Sequence, residues 1–116
     1  MFRVIIAGSR NFNDYEFLEK SMDFLLKNKS DVVVLCGEAA GADSLGKRYA
    51  LARGFSVMSF PADWARFGRS AGVRRNRQMA EAADACVVFW DGVSRGSANM
   101  IAEAERAGLA LRVRRF

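Results

Sequence analysis

The sequence predicts an α/β fold: one doubly wound, Rossmann-like parallel sheet of five strands in the order 3-2-1-4-5, with four helices. Three observations predict it. Short, continuously apolar runs alternate along the whole chain with segments whose apolar residues recur at helical spacing. The apolar runs lack the in-out alternation of a half-exposed sheet, as expected when both faces of a parallel sheet are covered. Finally, 116 residues make one domain, because either half would be too small to bury a core of its own.

The elements follow in order. Phe2–Ala7 is a strand ending at Gly8-Ser9. Asn13 is placed to cap a first helix, with Glu16 three residues on as in a capping box, and Tyr15, Leu18, Met22, Leu25 and Leu26 form its apolar stripe. Asp31–Cys36 is a buried strand stopped by Gly37. Gly41–Arg53 is a helix with Ala42, Leu45, Tyr49 and Ala52 on one stripe, and Gly54 ends it. Phe55–Phe60 is a third strand, after which Pro61 opens a loop. A third helix runs from about Ser70 to Ala83, a fourth strand over Asp84–Trp90, a fourth helix over Ser97–Ala107 and a last strand over Leu109–Val113. Right-handed crossovers wind these units into the order above. Ligands of such sheets bind beyond the carboxyl ends of the strands, where strands 1 and 4 diverge. The loops after strands 1, 2 and 4 should meet there.

Composition narrows the function. The chain has 18 Lys and Arg against 13 Asp and Glu, for a net charge of +5, and 14 of the 18 are Arg. Arginine is the side chain suited to forked recognition of phosphate and carboxylate. Residues 59–116 carry +4 of the +5. An anionic ligand, a nucleic acid or a solvated basic face would each give this balance. No His is present, which removes His bases and His metal ligands. Cys36 and Cys86 lie in apolar runs without metal-ligand spacing and read as buried reduced thiols. The amino-terminal apolar run is too short for a signal peptide or a membrane span, so a cytoplasmic protein without membrane contact is expected.

Four stretches carry candidate chemistry. Gly8-Ser9-Arg10 offers close backbone approach, a hydroxyl and a guanidinium fork to a phosphate, or is an ordinary turn. Gly37 through Asp43, with Gly41 between, opens the second helix at an anion-favouring terminus; Asp43 can touch a ligand or simply offset the helix dipole, and Glu38 argues against a highly charged phosphate there. Residues 66–77 hold five Arg and no acid, beside the aromatic Trp64 and Phe67, a combination suited to a stacked base with a phosphate. Arg74, Arg75 and Arg77 cannot all face one way on a helix. Asp91–Ser97, with Gly92, Ser94, Gly96 and Ser97, has a phosphate- or ribose-cradling composition, and Ser97 is placed to cap the fourth helix. Met22, Met58, Met79 and Met100 read as core or gap-filling residues, and Arg112, Arg114 and Arg115 as a solvated sheet edge.

Taken in order, these loops resemble the YspA group, the YpsA-related branch of the SLOG superfamily, which also contains the DprA and LONELY GUY proteins. The matching residues are Gly8-Ser9-Arg10, Gly37 with Gly41-Ala42-Asp43, Phe60 through Trp64, and Gly68 with Ala71-Gly72. They continue through Arg75-Asn76, Met79, Phe89 through Gly92, Ser94 and Gly96-Ser97. Glu38 and Ala40 stand where the YspA pattern usually has Gly and Arg. The resemblance implies binding of a nucleotide or an NAD- or ADP-ribose-derived ligand. The LONELY GUY relatives are phosphoribohydrolases that pair an Arg with a Glu. The Arg falls on Arg75, but Asn99 stands at the Glu, and an amide cannot do a carboxylate's acid-base work.

The first functional expectation is therefore a non-catalytic sensor or sequestering protein. Gly8, Ser9 and Arg10 are expected on phosphate, Asp43 on ribose hydroxyls, Trp64 on the base, Arg75 on a second phosphate, and Gly96 and Ser97 as donors. Asn76 and Asp91 are expected in the same site. The alternative is N-glycosidic hydrolysis or transfer on a nucleoside monophosphate, with Arg75 and an aspartate such as Asp43 as the acting groups. Single-stranded nucleic-acid binding, by analogy with DprA, ranks last. No cofactor is demanded; Asp43, Asp63 and Asp91 are oxygen donors able to hold Mg²⁺ together with a phosphate, though nothing in their spacing requires it. Phe17 and Phe24 fall outside the first helix's main stripe, so a homo-oligomer burying that second face is expected.

Overall fold

In a computed structural model that describes residues 1–116, five parallel strands form one sheet in the order β3-β2-β1-β4-β5. The strands are β1 (Phe2–Gly8), β2 (Val32–Cys36), β3 (Ser56–Ser59), β4 (Ala85–Trp90) and β5 (Ala110–Arg115). The major helices are α1 (Tyr15–Leu26), α2 (Ala42–Ala52), α4 (Ala71–Ala82) and α5 (Arg95–Arg106), and a single short turn of helix, α3, spans Trp64–Phe67. β1 pairs with β2 from Phe2↔Val32 to Ile5↔Leu35 and with β4 from Val4↔Ala85 to Gly8↔Phe89.

Alternate residues of each central strand serve two cores, because successive side chains leave opposite faces. On one face Val4, Ile6, Val34, Val87 and Phe89 pack against Leu18 and Met22 of α1 and Tyr49 and Ala50 of α2. On the other, Ile5, Leu35, Cys86 and Val88 pack against Met79 and Ala80 of α4 and Met100 and Ala104 of α5. This two-sided cover is why these strands read as unbroken apolar runs.

Several sequence expectations shift. Asp14, not Asn13, caps α1, its carboxylate accepting the Phe17 N–H at 3.1 Å; Glu16 pairs instead with Lys20 at 2.9 Å, so no capping box closes. The loop opened by Pro61 contains α3, capped by Asp63 through the Arg66 N–H, and a 3₁₀ turn over Gly68–Ser70 before α4 begins. The cap of α5 is Ser94, three residues before Ser97, so Ser97 lies inside the first turn. β3 is shorter than expected and β5 begins one residue later and runs to Arg115. Met58 is exposed on the edge strand β3 rather than packed, whereas Met22, Met79 and Met100 are buried.

Phe17 does not form a second apolar face on α1. It turns inward, 6.3 Å from the ring of Phe12 and 5.8 Å from that of Phe89. Phe24 alone stays out, with the Lys27 ammonium 4.4 Å from its ring centroid. β5 is a sheet edge and carries the three expected arginines, of which Arg115 stacks on Trp90 at 5.4 Å. No helix is long and apolar enough to cross a membrane.

Candidate functional site

The loops after β1, β2 and β4 meet at the carboxyl edge of the sheet. Gly8 ends β1 at φ 154° with its α-carbon against β4 and α2. A methyl group there would overlap the Phe89 carbonyl and come within 2.9 Å of the Ala42 side chain. Ser9 follows and is buried. Its N–H donates to Phe89 O at 2.9 Å, its carbonyl accepts from Phe12 and Ala42, and its hydroxyl accepts the Asp91 N–H at 3.1 Å. Gly41 adopts φ 74° and leaves no room for a side chain beside the Ser9 and Arg10 carbonyls, which seats the start of α2 on the β1 loop.

Arg10 and Asp43 border a cleft of about 560 Å³ between this junction and the α3–α4 region. Asp43 is 5% exposed, and its carboxylate accepts the Ala39 N–H at 3.2 Å. Burial raises its pKa above the ordinary carboxylate value; the Ala39 hydrogen bond and the Arg75 charge oppose that rise. Arg75, from α4, reaches across to donate to the Gly37 carbonyl and donates from Nε to Asn76 Oδ1 at 2.9 Å. Asn76 Nδ2 in turn donates to Asn99 Oδ1 at 2.8 Å and to Gly96 O at 3.4 Å. Trp64 is 52% exposed, its indole above Gly72, where an added methyl would lie 3.4 Å from the ring.

The opposite wall is the start of α5. Asp91 accepts the Val93 and Ser94 N–H groups at 2.9 and 2.8 Å, and these hold its carboxyl below its usual pKa. Ser94 Oγ then receives the Ser97 hydroxyl at 3.2 Å and the Ser97 N–H at 3.4 Å. Gly96 meets open space where a side chain would be, and while the Ser97 and Ala98 amides are taken by Ser94, those of Arg95 and Gly96 have no protein partner.

Of the residues expected in the site, Gly8, Arg10, Asp43, Trp64, Arg75, Asn76, Ser94, Gly96 and Ser97 line the cleft together. Ser9, Gly41, Asp91 and Gly92 do not. The first three are consumed in bracing the loops. Gly92, at φ 85°, packs against the Arg115 guanidinium. Gly37 borders a smaller adjoining recess that shares Arg10, Ala39, Trp64 and Arg75 with the main cleft. The Glu38 carboxylate is engaged by Ser59 at 2.6 Å, Lys47 at 3.2 Å and the Cys36 thiol at 3.3 Å.

Asn11, Arg69, Val73 and Arg95 also line the cleft and were not anticipated. Arg69 belongs to the acid-free arginine stretch, and Arg95, the first residue of α5, falls in the segment the sequence assigns to the loop before the fourth helix, so their types are visible in the sequence although their directions are not. Arg74 stacks on Phe67 and Arg77 pairs with Glu103, leaving Arg75 to face the cleft. Glu103 is buried between Arg77 at 3.4 Å and Arg106 at 2.8 Å and does not line it. Asp43, Asp63 and Asp91 each satisfy a different loop. No group of three His, Cys, Asp or Glu converges as a metal site.

Residues 2–67 match the YspA, cpYpsA-related SLOG family. The chain belongs to that family. It is also 38% identical to the Gene 61 protein of Mycobacterium phage D29, over 94% of this chain and 93% of that one. The X-ray structure of TM1055, a structural genomics target, superposes with a TM-score of 0.71 at 19% identity, covering 96% of this chain and 72% of its own. That likeness shows the shared fold. The segment matched to the SLOG family runs from β1 through α3 and supplies Gly8, Arg10, Asp43 and Trp64. Arg75, Asn76 and the α5 wall come from the remainder of this SLOG chain.

Proposed function

We propose that the cleft binds a nucleotide or an NAD- or ADP-ribose-derived ligand and holds it intact, as a sensor or sequestering protein. One observation carries this reading. Arg10, Arg69, Arg75 and Arg95 all border the cleft, none of them forms an ion pair, and the only carboxylate among the lining residues is Asp43. Four guanidinium groups against one carboxylate leave the cavity an excess of positive charge, which attracts an anion carrying more than one charge. The exposed indole of Trp64 supplies a stacking surface for a base. Asp43 supplies the acceptor that ribose hydroxyls need, and the open α5 terminus supplies amide donors.

Hydrolysis is the second reading, and Asp43 favours it, since a buried carboxyl with a raised pKa beside Arg75 suits proton transfer. Against it, Asn99 places an amide on the wall, and Glu103 is held away by two arginines.

A depletion assay separates the two. The protein is mixed with AMP, NAD, ADP-ribose and cyclic ADP-ribose, ultrafiltered, and the retained fraction heat-denatured and analysed by mass spectrometry. A compound that leaves the filtrate and returns unchanged is the expected result. Free base or ribose phosphate would mean hydrolysis, and a filtrate that keeps the whole panel would overturn ligand binding of this class.

A further inference from the structure

We propose that Asn99 is a specificity-determining residue. Its side-chain amide is locked so that the NH₂ group alone faces the cleft, and it selects ligands that place a hydrogen-bond acceptor against that wall. The inference rests on the ligand-binding reading above and adds which polarity the wall demands.

The lock starts at an arginine, because a guanidinium can only donate. Arg75 Nε donates to Asn76, so the atom it meets must be Oδ1. The other end of the Asn76 amide is then Nδ2, and the Gly96 carbonyl, which can only accept, independently requires a donor there. Asn76 therefore has one allowed orientation, fixed from two sides. Its second Nδ2 hydrogen points at Asn99, so the atom of Asn99 it meets is Oδ1. Asn76 is only 7% exposed, where an unpaired amide would be costly, so the alternative flip is excluded at this end too.

Asn99 Oδ1 is turned to Asn76, which leaves Nδ2 with two hydrogens and no protein partner as the donor of this side chain. No buried side-chain nitrogen or oxygen in the molecule lacks a hydrogen bond, so this nitrogen is accessible, and Asn99 lines the cleft. A lone amide could turn to suit either a donor or an acceptor. This one cannot, because turning it would set its NH₂ against that of Asn76. The wall thus reads the ligand: a phosphoryl, carbonyl or ring-nitrogen acceptor is received, a hydroxyl is received through its oxygen, and an amino group that can only donate is opposed.

Two measurements test this. In ¹⁵N-edited spectra of the free protein, the Asn76 side-chain NH₂ should be protected from solvent exchange and that of Asn99 should exchange freely. The reverse order would overturn the lock whether or not any nucleotide binds. Binding of ADP-ribose is then compared for the wild type, Asn99→Ala and Asn99→Asp. The Asp variant still accepts from Asn76 but adds a negative charge beside an anion-binding cleft, so a merely bracing role predicts for it only a loss set by that charge, which closes toward the wild type as salt is raised. Selection through the NH₂ group predicts a loss of roughly tenfold or more for Asp relative to the wild type at the same salt, larger than that for Ala and persisting when salt screens the added charge. The Asn99 NH₂ resonances should also become protected when ligand is added. An Asp variant that binds as tightly as the wild type, or does so once salt is raised, would overturn the proposal while leaving the ligand-binding reading intact. A wild type that binds none of the panel would overturn that reading, and the selectivity with it.

Discussion

The Asp91 N–H donates to the hydroxyl of Ser9 across 3.1 Å, tying the loop after β1 to the loop after β4. These two strands are neighbours in the sheet, and their following chains diverge to opposite faces, β1 into α1 and β4 into α5. A crevice opens between diverging chains, and this bond ties its two sides together behind the lining residues. Ser9 thus acts on the site from behind. It holds Asp91, Asp91 orders the turn through Val93 and Ser94, and Ser94 caps the helix whose first turn lines the cleft.

Ser9→Ala should lower stability by about 1–3 kcal/mol, the cost of leaving the Asp91 amide without its acceptor. Urea unfolding measures it. Ligand affinity should fall as well, because the Asp91–Ser94 turn loses an anchor. A variant as stable as the wild type would show that water replaces the hydroxyl without cost.

Arg75→Ala should weaken ligand binding by about 1.5–3 kcal/mol, as expected for a hydrogen bond to a charged group. Arg75→Lys should not restore it. An ammonium has no rigid fork with which to hold the Gly37 carbonyl, Asn76 Oδ1 and a ligand at once. Calorimetric titration of both variants checks the claim, and full rescue by lysine would reduce Arg75 to a simple charge.

Trp64 is half exposed and rests on Gly72, so its fluorescence should respond to an occupied cleft. Trp90, whose indole N–H is already bonded to Ser94 O at 3.0 Å, should respond less. Trp64→Ala should abolish the signal and cost about 1–3 kcal/mol of binding. Its effect on stability should stay within about 0.5 kcal/mol, as for other surface positions.

Asp23 ties α1 to α2 by accepting from the Tyr49 hydroxyl at 2.7 Å and from Arg53 at 2.7 and 3.0 Å. Arg53 first, then Tyr49, holds its carboxyl below the ordinary 3.8. An acid whose folded pKa is depressed contributes stability above its unfolded value and loses it as pH falls through the folded one. Asp23→Ala should therefore be less stable at pH 7 by about 1 kcal/mol, mostly through the buried Tyr49 hydroxyl. The gap from the wild type should narrow as pH falls below about 4. Urea midpoints across pH 2–7 follow it.

Both cysteines are buried and free. Burial raises the Cys36 thiol to about 11 and the Cys86 thiol to about 12. Since the thiolate is the reactive form, neither should react with a disulfide reagent at pH 8 in the native protein, and both should do so in denaturant. Rapid labelling of Cys36 in the native state would show that the loop carrying Glu38 opens.

The sheet is legible in the order of the residues alone. Unbroken apolar runs such as Val32–Leu35 and Cys86–Phe89 can be satisfied only by cover on both faces, and the alternating helices allow only parallel crossovers. The same order also marked most of the cleft, because glycines and arginines after strands are local signals. What it left open was direction. Ser9 and Arg10 are adjacent, yet one braces the loops and the other borders the cleft. Arg74, Arg75 and Arg77 share one helix, yet an aromatic ring, a carbonyl and a buried carboxylate take them three different ways. The cap of α1 fell on Asp14 rather than Asn13, and Phe17 turned into the core, for the same reason. Composition sets which groups can bond, but their partners lie on other segments of the chain, and only the tertiary structure brings those segments within the few ångströms over which hydrogen bonds and packing act.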